Sequence, residues 1–118
     1  MTDKSSYESR LTGDELLSAL SALASPHRLR ILALLARAGR THVSQLARDA
    51  GISRPLLYLH LQRLEAGGLV KGELELSTAD GKAMKYFQVT PFDLRLTPSS
   101  IAEAVDTLSP LFKEEDPK

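Results

Sequence analysis

Apolar residues recur at helical spacing through the first half of the chain and then switch to a period of two. Leu16, Leu17, Leu20 and Leu23 form one stripe of a first helix, capped by Thr12 or Asp14. Ala24-Ser25-Pro26 breaks that helix, because proline disfavours helical geometry in the residue before it. Pro26 then suits the first turn of a second helix, where its missing N–H costs nothing. Ile31, Leu32, Leu34 and Leu35 make this second helix apolar over a wide face, which predicts a central place in the core; Gly39 ends it. The segment Thr41 to Ser44 is expected to start a short third helix, with Val43, Leu46 and Ala47 facing inward and Gly51 as a left-handed stop.

Gly51-Ile52-Ser53 reads as a tight connection, with Ser53 as N-cap of a helix beginning Arg54-Pro55. Leu57, Leu61 and Leu64 mark its buried face, and Gly67-Gly68 closes it. Two short helices joined by a glycine-containing turn form a helix-turn-helix. Beyond Leu69-Val70 the stretch Glu73-Leu74-Glu75-Leu76 alternates strictly, and Met84 to Val89 is rich in aromatic and apolar residues. Turn chemistry at residues 78–82 joins them into a β-hairpin, placed as a wing behind the second helix of the pair. Phe92, Leu94 and Leu96 alternate in an extended segment. Thr97 caps a last helix starting at Pro98, with Ile101, Val105 and Leu108 on one face and Pro110 as its limit. The predicted fold is mainly α with a β-hairpin wing, a winged helix-turn-helix in the order α-α-α-α-β-β-α. It runs over 13–109, between a flexible segment 1–12 and a solvated tail 110–118.

Net charge is zero, which at first argues against a nucleic-acid partner, but the distribution reverses that impression. Between Pro26 and Arg63 lie seven arginines (Arg28, Arg30, Arg37, Arg40, Arg48, Arg54 and Arg63) against one acid, Asp49. Residues 1–25 carry −2, residues 64–100 carry −1 and residues 101–118 carry −3, which offsets the +6 of the middle. A basic centre between acidic ends can bind phosphate while the molecule stays neutral. The absence of cysteine excludes disulfides, thiolate metal sites and cysteine nucleophiles, and it is compatible with a cytoplasmic location. No apolar run approaches the length of a membrane span.

Taken together, Leu23-Ala24-Ser25-Pro26-His27-Arg28-Leu29-Arg30-Ile31-Leu32, Val43-Ser44-Gln45-Leu46-Ala47, Gly51-Ile52-Ser53, and the run from His60-Leu61 through Leu64-Glu65 to Gly68-Leu69-Val70 resemble the ArsR-type winged-helix regulators. The similarity covers about residues 14–90. It implies a homodimer built from the first and last helices that acts on a promoter, with the Ser53–Ala66 helix in the major groove and the Leu74–Phe87 hairpin on flanking DNA. A two-fold axis there would set the recognition helices about 34 Å apart, one turn of DNA. The interface residues implied are Leu16, Leu20, Leu23, Ile101, Val105 and Leu108. Two departures stand out. The segment Thr41-His42-Val43-Ser44-Gln45 lacks the cysteines of the metal-sensing relatives, and the recognition helix carries Leu56, Tyr58 and Leu59 where relatives tend to have small polar residues.

For DNA, Arg54 is the best base-reading candidate, since arginine pairs bidentately with guanine. Tyr58 and Gln62 lie one turn apart on the same face. Leu56 either meets thymine methyl groups or packs with Leu59 against the third helix or the wing. Ser44 and Gln45 sit at a helix N-terminus suited to phosphate, Ser53 stands at the start of the recognition helix, and Lys82 and Lys85 suit backbone contacts from the wing. Arg28 is as much a bridge between helices as a DNA contact, and His60 reads as a structural histidine. No nucleotide loop, H-E-x-x-H or nucleophile–base pair is present, so an enzyme is not expected. No cofactor is expected either. An effector metal would need nitrogen and oxygen ligands such as nickel or zinc accept, drawn from His27, His42, His60, Glu103 and Asp106. The other reading is a winged-helix interaction module whose Leu56/Tyr58/Leu59 face binds a protein co-regulator.

Overall fold

The computed structural model describes residues 11–77 and 79–110. The expected flexible segment up to residue 10, Thr78 of the wing turn and residues 111–118 of the expected tail lie outside the described residues. The elements are α1 (Gly13–Leu23), α2 (Pro26–Ala38), β1 (Thr41–His42), α3 (Val43–Ala50), α4 (Arg54–Ala66), β2 (Val70–Leu76), β3 (Ala83–Val89) and α5 (Pro98–Val105). They fall into two compact units, Ala19–Phe92 and the flanking residues 11–18 with 93–110. Among the described residues no helix is long and apolar enough to cross a membrane.

In the larger unit, local chemistry sets the helix ends. The Ser25 hydroxyl accepts from the Arg28 N–H, with Pro26 in the first turn of α2. Ser53 accepts from the Leu56 N–H and Pro55 follows in the first turn of α4. Gly51 between α3 and α4 is left-handed, at φ 69° and ψ 31°, and its N–H reaches back to the carbonyls of Ala47 and Arg48. A side chain there would be strained. The core gathers Ile31 and Leu35 of α2, Val43 and Leu46 of α3, Leu57, Leu61 and Leu64 of α4, and Leu69, Val70 and Phe87 of the hairpin, all buried. Helix α2 packs on α3, α4 and β3, which is the central place its apolar width predicted.

The structure corrects one expectation in this unit and bears on two points that the sequence left open. Thr41 and His42 do not begin α3. They form β1, which pairs antiparallel with β3 through Thr41↔Phe87 and His42↔Tyr86, so the wing belongs to a three-stranded sheet in the order β1-β3-β2. His42 is left as N-cap of α3 with no side-chain cap bond. The alternation of residues 73–76 does not bury one face, because Glu73, Leu74, Glu75 and Leu76 all lie in the exposed outer half of β2. Only the inner half of the hairpin, at Val70 and Phe87, meets the core. Finally, Leu56 and Leu59 stay exposed, so neither is buried against α3 or the wing.

Phe87 owes its buried position to Gly72, its cross-strand partner. A Cβ on Gly72 would come within 2.7 Å of the Phe87 ring, closer than carbon atoms pack. Gly72→Ala is therefore expected to cost about 1–3 kcal/mol through overpacking, read as a lower urea midpoint at unchanged slope. An unshifted midpoint would show that the ring moves aside freely.

In the smaller unit, Thr12 rather than Asp14 caps α1: its hydroxyl accepts from the Glu15 N–H while the Glu15 carboxylate accepts from the Thr12 N–H. Thr97 and Ser100 form the same reciprocal box at the start of α5. That helix ends at Val105, short of Pro110, so Leu108 lies beyond it in a turn closed by the Thr107 and Leu108 N–H groups. The start of α1 fits tightly on this turn. Gly13 donates to the Thr107 hydroxyl at 2.8 Å, and the Ser109 N–H donates to the Asp14 carboxylate at 2.8 Å. A Cβ on Gly13 would lie 2.5 Å from the Ala104 carbonyl oxygen and 2.9 Å from the Leu108 Cα.

Candidate nucleic-acid interface

Helix α4 presents its buried stripe to the core and its remaining faces to solvent, and at its first turn it meets the wing across a groove. That groove is open, about 580 Å³, and His42, Ser44, Arg54, Tyr58, Lys82 and Lys85 are among the side chains lining it. Arg54 reaches across from α4 to α3, where its Nη1 donates to the Ser44 hydroxyl at 3.0 Å. Lys85 faces the groove because it pairs with Leu74 on the side of the hairpin that carries Phe87. Lys82 stands at the turn, where its backbone N–H donates to the Asp80 carboxylate at 3.1 Å. That bond, followed by one from the Ser77 side chain, holds the Asp80 carboxyl below the usual carboxylate range.

Five of the expected DNA contacts (Ser44, Arg54, Tyr58, Lys82 and Lys85) therefore converge on one groove. Ser53 lines a shallower concavity at the α3–α4 turn together with Ser44, Arg48 and Arg54. Gln45 is exposed on α3 and already engaged, donating to Asp49 and accepting from Arg48, each at 2.8 Å. Gln62 and Leu56 are exposed on α4 but do not line the groove.

Arg28 resolves as a bridge. Its guanidinium donates to the carbonyls of Ala22 and Ser21 at the end of α1, at 2.7 and 3.4 Å, and to Nδ1 of His60 on α4 at 3.3 Å. Arginine has no acceptor, so His60 Nδ1 is unprotonated in this contact. The His27 ring stacks on His60 with centroids 5.4 Å apart. Burial, then the charges of Arg28 and His27, hold the His60 imidazole below its ordinary range. The unfolded chain takes up this proton near pH 6.5, whereas the fold resists it. Stability is therefore expected to fall as pH drops below about 6.5 and to level once the folded imidazole protonates. Urea midpoints between pH 7 and pH 5 should show the decline, and His60→Gln should shrink it; an identical decline in the variant would refute the assignment.

The sequence reading missed Arg40. Counted there as part of the basic centre, it instead grips the outer wing, donating to Glu73 at 3.1 Å and Glu75 at 3.0 Å with its guanidinium 4.0 Å from the Tyr86 ring centroid. His42 meets the same tyrosine edge-on. The alternating acids beside a cross-strand tyrosine were the one available signal. Of the metal candidates His27 and His60 meet in their ring stack, but among the described residues no three His, Cys, Asp or Glu side chains group as a metal would need.

Residues 23–73 match the model of a family described as a helix-turn-helix domain. An uncharacterised HTH-type transcriptional regulator of Methanocaldococcus jannaschii is 36% identical over 61 residues, 52% of this chain; the match spans 63% of that relative's length, less than two thirds. The solution structure of the homodimeric winged helix-turn-helix DNA-binding domain of a possible ArsR-family transcriptional regulator from Mycobacterium bovis superposes with a TM-score of 0.55 at 24% identity, covering 89% of this chain and 83% of that one. A transcriptional regulator homologue from Pyrococcus horikoshii gives 0.52 at 26% identity, covering 87% and 95%. Residues 23–73, less than half of the chain, are thus similar to this helix-turn-helix domain, and the fold around them is the winged one seen in the Mycobacterium bovis domain.

Proposed function

We propose that this protein is a DNA-binding transcriptional regulator, acting as a homodimer on a promoter and not as an enzyme, with α4 in the major groove and the wing on flanking backbone. The observation that carries the reading is the convergence of Arg54, Ser44, Tyr58, Lys82 and Lys85 on one open groove beside α4. Such a surface offers a base-reading guanidinium next to ammonium groups that neutralise phosphate. The homodimeric state of the Mycobacterium bovis domain supports self-association, which the proposal assigns to α1 and α5. The experiment is a gel shift against the chain's own upstream region with competitor DNA over a salt series. If about six phosphates are neutralised per dimer, log K falls with log salt at a slope of roughly −5. Binding that ignores salt, or that competitor abolishes equally for every sequence, would sink it.

Regulation without a bound metal is part of the proposal. Arg28 places a cation directly against His60, which opposes a second cation beside the His27–His60 pair. Calorimetric titration with nickel and zinc, repeated with His27, His42 and His60 each changed to Ala, tests it. A micromolar stoichiometric site coupled to operator affinity would establish the nitrogen/oxygen metal sensor instead.

A further inference from the structure

The outer face of α4 carries an apolar patch that the groove with the wing does not account for. Leu59 is 59% exposed and Leu56 39%, while Leu57, Leu61 and Leu64 of the same helix are fully buried. At 3.6 residues per turn, Leu56 and Leu59 lie about 60° apart, and Leu59 points nearly opposite the buried stripe. They are therefore the side chains that any partner lying along the free face of α4 meets first. The residues three or four positions from Leu59 are Pro55, Leu56, Gln62 and Arg63, and those around Leu56 are Ile52, Ser53, Leu59 and His60. None is acidic. Arg63, one turn on from Leu59, is exposed beside the patch and gives its rim a cation. An apolar centre with a cation at its rim and no carboxylate among these neighbours suits a polyanion that presents apolar groups at its floor.

In duplex DNA the major groove offers one such group, the C5-methyl of thymine. Guanine, cytosine and adenine instead present donors and acceptors, which a leucine would strip of water without pairing, at a cost of an unsatisfied polar group. Leucine at these positions therefore selects for thymine by burying its methyl and against the other bases by leaving them unpaired. We infer that Leu56 and Leu59 read thymine methyl groups in each half-site, so that the operator carries A·T pairs opposite the middle of α4, while Arg54 reads its neighbour near the helix start. The inference rests on the reading of α4 as the recognition helix.

The test uses the full chain and a duplex that it selects from a random pool. Each thymine of one half-site is replaced in turn by deoxyuridine, which removes the methyl and nothing else. At one or two positions affinity should fall about four-fold, the equilibrium equivalent of exposing one methyl group. Leu56→Ala and Leu59→Ala, at exposed helix positions where alanine favours the fold, should bind the thymine duplex correspondingly more weakly and lose the sensitivity to deoxyuridine. Three results overturn the inference while leaving DNA binding in place. The selected half-site lacks thymine there; deoxyuridine changes nothing at any position; or Leu59→Asp keeps full affinity, which takes the patch out of the DNA interface. A pool from which no duplex is enriched overturns the DNA reading itself.

Discussion

Val105→Asp is expected to give a folded monomer that no longer binds its operator. Val105 is 55% exposed and Ile101, one turn earlier on α5, is 43% exposed. A carboxylate at position 105 therefore leaves the core of its own chain untouched. In a two-fold interface the same residue enters twice, and an uncompensated buried carboxylate costs about 3–5 kcal/mol each time. That exceeds what a dimer of ordinary strength can absorb. Sedimentation should report the monomer mass, thermal unfolding should remain cooperative, and the gel shift should be lost, because one half-site provides too few contacts. A variant that sediments as a dimer places the interface elsewhere. Leu20 and Leu23 are half-buried in the single chain, so aspartate at those positions tests folding as much as assembly.

The second large effect falls on Arg54. Its alanine variant should lose about 1–3 kcal/mol of specific binding and relax base preference at one position per half-site. Lys82→Ala should weaken all sequences to a similar degree and lower the steepness of the salt dependence by about one. The contrast follows from position, since Arg54 heads α4 and is steadied by Ser44, whereas Lys82 stands at the wing turn. Selection from a random pool with each variant reads both effects. If Arg54→Ala keeps affinity and preference intact, α4 is not read into the groove as assigned.

What the sequence made legible is what short-range chemistry decides. Ser53 and Thr97 announce their helices because a hydroxyl one residue before the helix satisfies an N–H three residues on, whatever the rest of the chain does. Gly51 marks the turn of the helix pair for a similar local reason. The features that escaped depend on partners far along the chain. β1 is two residues long and exists only because β3 lies beside it. Arg40 finds its acids 33 and 35 positions away, so a count of arginines overstated the charge left free for phosphate. His27 and His60 looked unrelated in sequence, yet their rings stack. The outer wing misled for another reason. Alternation marks a strand but does not say that anything covers it, and β2 outgrows the core it starts from. Of the expected site residues, those on the inner side of the wing and at the head of α4 share one groove. Gln62 and Leu56 could be placed only once the helix was oriented against the core.

Gly13 carries a genetic consequence. Its α-hydrogen faces the Ala104 carbonyl and the Leu108 backbone at distances that admit no further carbon, and the turn it touches follows directly on the helix bearing Ile101 and Val105. Every single-base change in a glycine codon that alters the residue either adds a Cβ or ends the chain. None can be accommodated without moving α5 or the turn after it away from the start of α1. The position is therefore closed to missense variation even though glycine supplies no side chain to any interface. A laboratory screen for loss of assembly would return lesions at codon 13 as readily as at codons 101 and 105.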